Sequence, residues 1–119
     1  MEKIVREYFT SWINKDPSVI REHFSDSVIY SECYGPEYRS KEDCLKWFDD
    51  WNNNGSVLQW DIKDFQEIGD ICFVEWYFKC DYENKIDEFD GVSIIQVKDE
   101  KISLVKEFKS KSEHYYPYE

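Results

Sequence analysis

Residues 71–98 read ICFVEWYFKCDYENKIDEFDGVSIIQVK, and their period decides the fold. From 71 to 82 the chain alternates. Cys72, Val74, Trp76, Phe78 and Cys80 fall on one side of an extended backbone, and Phe73, Glu75, Tyr77, Lys79 and Asp81 on the other. The polar Glu83-Asn84-Lys85 then turns the chain into a second strand over Ile86 to Lys98. Upstream, Val57 to Glu67 has the same period and is joined through Gly69-Asp70. Downstream, Ile102 to Ser112 follows Asp99-Glu100-Lys101. Short polar connections of this kind predict four antiparallel strands joined as hairpins. Large apolar groups occur in both sets of the 71–82 strand, whereas a sheet with one wet face shows apolar and polar residues in strict alternation. The second face is therefore expected to be covered too, and the cover expected is another copy of the chain.

The residues before this sheet follow a helical period. Ile4, Val5, Tyr8, Phe9, Trp12 and Ile13 share one side of a wheel, with Lys3, Arg6, Glu7, Thr10 and Asn14 opposite. Asp16-Pro17 starts a short second helix with Val19, Ile20, His23 and Phe24 on its apolar side. Val28 to Cys33 is strand-like, and Tyr34-Gly35-Pro36 breaks it. A third helix begins at Ser40, with Asp43 completing a variant capping box. Asn52-Asn53-Asn54-Gly55 ends it, on residues that tolerate the left-handed conformation. The order ααβαββββ makes residues 1–119 one α+β domain, three helices packed on a sheet.

With 119 residues, 41% hydrophobic and including 5 Trp, 9 Tyr and 8 Phe, the chain is too aromatic for disorder. A net charge of −11 repels phosphate, so neither nucleic acid nor an anionic membrane is an expected partner. No apolar run reaches the ~20 residues of a membrane span. Met1 to Glu7 has no apolar h-region, which argues against a signal peptide and leaves the cytoplasm as the default compartment. Cys33, Cys44, Cys72 and Cys80 form no C-x-x-C pair, so reduced thiols are expected. Asp81, Glu83, Asp87, Glu88 and Asp90 lack the glycine of a calcium loop. With no ligand spacing for a metal and no phosphate loop, no metal, flavin or nicotinamide cofactor is expected.

The groups left for chemistry are acids and hydroxyls in aromatic segments. Tyr8 lies in the apolar side of the first helix. Glu32 shares parity with Val28 and Tyr30, and Glu107 with Val105. A carboxylate in an apolar cavity gains basicity and suits acid–base work near neutral pH, and a tyrosine hydroxyl can donate to a developing oxyanion. Two plainer readings stand beside these. Glu107 can pair with Lys106 or Lys109 on a wet face, and Tyr8 can be a core residue with its hydroxyl bonded to backbone.

The chain resembles the nuclear transport factor 2-like superfamily. The resemblance rests on the element order, Asn14-Lys15-Asp16-Pro17, Phe24-Ser25-Asp26-Ser27-Val28, Tyr38-Arg39-Ser40-Lys41 and Lys101-Ile102. Glu75-Trp76, Phe89-Asp90-Gly91-Val92-Ser93 and Lys106-Glu107-Phe108 resemble its SnoaL-like, polyketide cyclase-like group. The resemblance implies a cone, a curved antiparallel sheet around a pocket closed by the helices, with a homodimer formed through the convex face. From the ketosteroid isomerase branch it implies Tyr8 as donor and Glu32 as base, with Ser93 where that branch has an acid. From the epoxide hydrolase branch it implies Glu107 as acid or base, while Trp76 and Phe78 stand where that branch has an arginine–aspartate pair. The implied pocket wall is Tyr8, Trp12, Glu32, Trp76, Phe78, Ser93 and Glu107, and its implied partner is a small apolar or aromatic molecule. Function is left open between cofactor-free acid–base catalysis, ligand binding without turnover, and a dimeric interaction module.

Overall fold

The computed structural model describes residues 1–119. Helix α1 (Glu2–Ile13) and helix α2 (Ser18–His23) precede strand β1 (Phe24–Ser31). A two-residue strand β2 (Glu37–Tyr38), helix α3 (Lys41–Asn54) and four long strands follow: β3 (Gly55–Ile68), β4 (Ile71–Tyr82), β5 (Lys85–Lys98) and β6 (Lys101–Ser110). The sheet order is β2-β1-β6-β5-β4-β3. The expected α+β cone is found as a curved, open six-stranded sheet with the helices across its concave side. The sheet is mixed rather than wholly antiparallel, because β1 runs parallel to β6. β1 enters from α2 at the same end as β6, a connection that only a long crossover through α3 and the meander allows.

Local chemistry accounts for the element ends. Asn14 and Lys15 close α1, with Lys15 at φ 54° and the Asp16 N–H donating to the Ser11 carbonyl, a Schellman-like exit made without glycine. The Asp16 carboxylate accepts the Ser18 N–H at 3.0 Å. Ser40 caps α3 by accepting the Asp43 N–H, also at 3.0 Å. At the other end of α3 the expected left-handed stop is absent, since Gly55 is extended at φ −161°. Glycine is required there by space: a Cβ would lie 2.7 Å from both the Asp81 carbonyl oxygen and Tyr82 Cδ1. Two of the three hairpins turn on paired left-handed residues, Glu83-Asn84 and Asp99-Glu100, whose backbone twist matches the flanking strands. Bulges in β3 between Val57 and Gln59, and between Ile62 and Asp64, bend the strand and increase its twist.

The alternation read from β4 holds. Cys72, Val74, Trp76, Phe78 and Cys80 are buried against the helices, while Phe73 and Tyr77 lie on the convex side. Phe9 of α1 stacks on Trp60 of β3 at 3.9 Å with 7° between the rings. Trp12 packs on Trp47, Phe48 and Trp51 of α3. No helix is long and apolar enough to cross a membrane.

Candidate functional site

A narrow cavity of about 50 Å³ opens between α1, α3 and the concave face of the sheet. Its walls are unusual in composition. All five tryptophans of the chain (Trp12, Trp47, Trp51, Trp60 and Trp76) border it, along with Phe78 and Phe89. Its charged lining groups are two carboxylates, Glu32 and Glu107, and no lysine, arginine or histidine lines it. A water needs ~10–15 Å³ on this measure, so the cavity has room for about three to five non-hydrogen atoms.

Glu107 projects from β6 with the parity of the buried Val105, while Phe108 points to the convex side. Its Oε2 accepts a 2.5 Å hydrogen bond from the Tyr30 hydroxyl. Tyr30 in turn accepts from Tyr8 at 2.7 Å. These three residues, from β6, β1 and α1, form a relay that runs from the cavity into the core. Burial pushes the Glu107 carboxyl up to about 7, the Tyr30 bond works against that rise, and the neighbouring Glu32 charge adds to it. Burial also holds the Tyr8 and Tyr30 hydroxyls well above the usual tyrosine range, so both remain protonated donors.

Glu32 follows β1 immediately, beside Glu107, because Ser31 and Lys106 are paired across the parallel strands. Burial pushes its carboxyl to about 7 as well, partly offset by a 3.4 Å hydrogen bond from the Tyr38 hydroxyl. Two open clefts of about 450 and 470 Å³ meet at this residue, which places Glu32 at the neck of the cavity. Lys109 stands outside it, with Nζ 4.5 Å from the Tyr34 ring centre and 5.2 Å from that of Phe89. The buried Trp60 indole N–H has no acceptor in the protein.

Five of the residues singled out in the sequence border the cavity: Trp12, Glu32, Trp76, Phe78 and Glu107. Two do not. Tyr8 is fully buried and reaches the site only through Tyr30, which stands between its hydroxyl and Glu107. Ser93 is also fully buried, and its Oγ accepts the Trp76 indole N–H at 2.9 Å. The serine thus orients the tryptophan that covers it, and its hydroxyl is engaged in that bond. Tyr30, Tyr38, Trp47, Trp51 and Trp60 were not singled out. Tyr30 carried a signal, since it shares the parity of Glu32. The three tryptophans lie in apolar faces that read simply as core.

Residues 5–105 match the SnoaL-like domain family. Among solved structures the chain is similar to a protein with a ketosteroid isomerase-like fold from Catenulispora acidiphila, in complex with trimethylamine. The identity is 15% over 90% of this chain and 85% of that one, with a TM-score of 0.80. It is also similar to an LEH-like epoxide hydrolase of M. tuberculosis, at 13% identity over 91% and 80% of the two chains and a TM-score of 0.82. A nuclear transport factor 2-like protein from Burkholderia thailandensis matches at 16% over 91% and 88%, with a TM-score of 0.75. At these identities the likeness is one of fold. No curated protein sequence matches the chain.

Proposed function

We propose, for a chain that belongs to the SnoaL-like domain family, that the cavity binds a small molecule and moves protons on it without a cofactor. The observation that carries this reading is the pair of neighbouring carboxyls, Glu32 and Glu107, in an aromatic cavity lined by no basic residue. Both carboxyls are pushed up to about 7 by burial, and the Glu32 charge adds to the rise at Glu107. Near neutral pH such a pair holds one proton between its members, one acting as acid and the other as base. Glu107, oriented by Tyr30, takes a proton from a carbon next to a carbonyl. The C–H electron pair moves into the new double bond, the carbonyl electrons pass to oxygen, and protonated Glu32 delivers a proton there. The cavity size restricts the molecule to about three to five non-hydrogen atoms.

The test is exchange of α-protons for deuterons in heavy water, followed by proton NMR, with acetone, hydroxyacetone and aminoacetone. Saturable exchange above the buffer rate, with shifts of the tryptophan indole signals, is the expected result. Indole shifts without exchange would replace catalysis with binding alone. No shift from any of the three would leave the interaction-module reading.

The same reading includes a two-fold dimer through the convex face and a cytoplasmic setting, the latter supported by four unpaired cysteines. On that face Phe73, Val92 and Phe108 are 38%, 36% and 57% exposed, and Val92 is paired with Phe108 across β5 and β6. Light scattering at micromolar concentration is expected to give twice the chain mass. Phe108→Glu is expected to give monomers, since a dimer of this kind buries on the order of 1,500 Å². A wild-type monomer would remove the dimer from the reading.

A further inference from the structure

Resting on the reading of the cavity as a small-molecule site, we infer that its occupant is a small alkylammonium cation, held on tryptophan faces and neutralised by Glu32 and Glu107. Buried carboxylates in folded proteins are ordinarily paired with a cation. Here the cavity holds two half-buried carboxylates and is lined by no lysine, arginine or histidine, and neither carboxylate takes part in an ion pair within the protein. Each has only a tyrosine hydroxyl as its side-chain partner, Tyr30 for Glu107 and Tyr38 for Glu32. The missing partner is a positive charge.

The remaining walls say what kind of positive charge. A bare metal ion needs several oxygen ligands, and tryptophan supplies none. A methylated or alkylated ammonium is weakly hydrated, and the faces of aromatic rings attract it within about 6 Å, tryptophan most strongly. All five tryptophans of the chain meet at this cavity. The rim already shows such a contact, with the Lys109 ammonium over the faces of Tyr34 and Phe89. The approach agrees with this assignment. Of the two clefts that meet at Glu32, the one of about 450 Å³ carries Asp43 and Asp50 against Lys46, in a chain of net charge −11. A cleft of one dominant sign concentrates the opposite ion at its mouth.

Binding a cation favours the ionised carboxylates, so affinity is expected to rise with pH between 6 and 8. The other titratable groups near the pair are Tyr8 from α1, Tyr30 from β1, Cys33 and Tyr34 after it, Tyr38 from β2, Cys44 from α3 and Lys109 from β6, with Asp43, Lys46, Asp50, Tyr82, Lys85 and Asp87 in the clefts at Glu32. Tyr8, Tyr30, Cys33, Tyr34, Tyr38 and Cys44 are all raised by burial and stay neutral in this range.

The experiment is a titration of indole NMR shifts with tetramethylammonium chloride and with its neutral counterpart of equal size, tert-butanol, at constant ionic strength. At pH 8 the cation is expected to bind at least about tenfold more tightly than the alcohol. Glu107→Gln and Glu32→Gln are each expected to weaken the cation about tenfold while leaving the alcohol within about twofold. Lys109→Gln, which removes a like charge from the rim, is expected to tighten the cation. Equal affinities for the two probes would overturn the cation assignment and leave the small-molecule site standing. An equal response to sodium chloride would also overturn it, in favour of a general cation site. Absence of any shift from either probe would overturn the cation assignment, and the small-molecule site would then stand or fall on the three carbonyl compounds.

Discussion

Glu107→Gln is expected to lose about 10²–10⁴-fold of the α-proton exchange rate and, at the same time, to melt at a higher temperature than the wild type at pH 8. The two effects share one cause. Burial raises the Glu107 carboxyl from 4.5 to about 7, so the folded state holds this proton more tightly than the unfolded state does. Below pH 4.5 both states are protonated and the residue adds nothing to the pH dependence. As pH rises from 4.5 to about 7 the unfolded chain ionises first, and stability is lost progressively. Above about 7 the folded protein bears the full cost, about 3 kcal/mol. Glutamine cannot ionise, and its carbonyl oxygen still accepts from the Tyr30 hydroxyl. The variant and the wild type should therefore melt together at pH 4 and diverge by roughly 10 °C at pH 8. Circular dichroism melts at several pH values check this. A difference in melting temperature that does not change with pH, or a wild type that is the more stable at pH 8, would show that Glu107 is not held in an apolar setting.

The second large effect lies in the sheet. Gly91→Ala is expected to destabilise the fold by about 3 kcal/mol, at the upper end of the ordinary cost of overpacking. Gly91 is paired with Trp76 across β4 and β5, and the indole ring crosses over it. A Cβ at 91 would lie 2.3 Å from Trp76 Cη2 and 2.5 Å from the Phe108 carbonyl oxygen. The first of these contacts pushes on a side chain that is 1% exposed and tied through its N–H to Ser93. The second pushes on the backbone of the adjacent strand. Neither can move without disturbing the β5–β6 ladder or the cavity wall. A melting temperature lower by roughly 10 °C is the expected reading, with altered indole shifts for Trp76. A melt within 2 °C of the wild type would mean that the ring and the strand do not meet as described.

The elements and their alternation were legible because they depend on local chemistry. The inward set of β4 from Cys72 to Cys80 follows from a period of two, the Ser40 cap from one hydroxyl three residues before one N–H, and the hairpins from Gly69-Asp70, Glu83-Asn84 and Asp99-Glu100. Parity also put Glu32 and Glu107 on the inner side of their strands. It could not say what stands in front of a residue. Tyr8 and Ser93 do face inward, but Tyr30 covers the first and Trp76 the second, and these coverings join residues 22 and 17 positions apart. The contact between Tyr30 and Glu107 spans 77 positions. It exists because β1 lies parallel to β6, a pairing that no hairpin signal announces and that a register shift between Phe24 and Ile29 adjusts further. The five tryptophans are each an ordinary apolar residue of a local element. Only the closing of α1 and α3 over the curved sheet brings them around one cavity, because burial of an apolar face specifies that it be covered and leaves the choice of covering residues to the packing of distant segments.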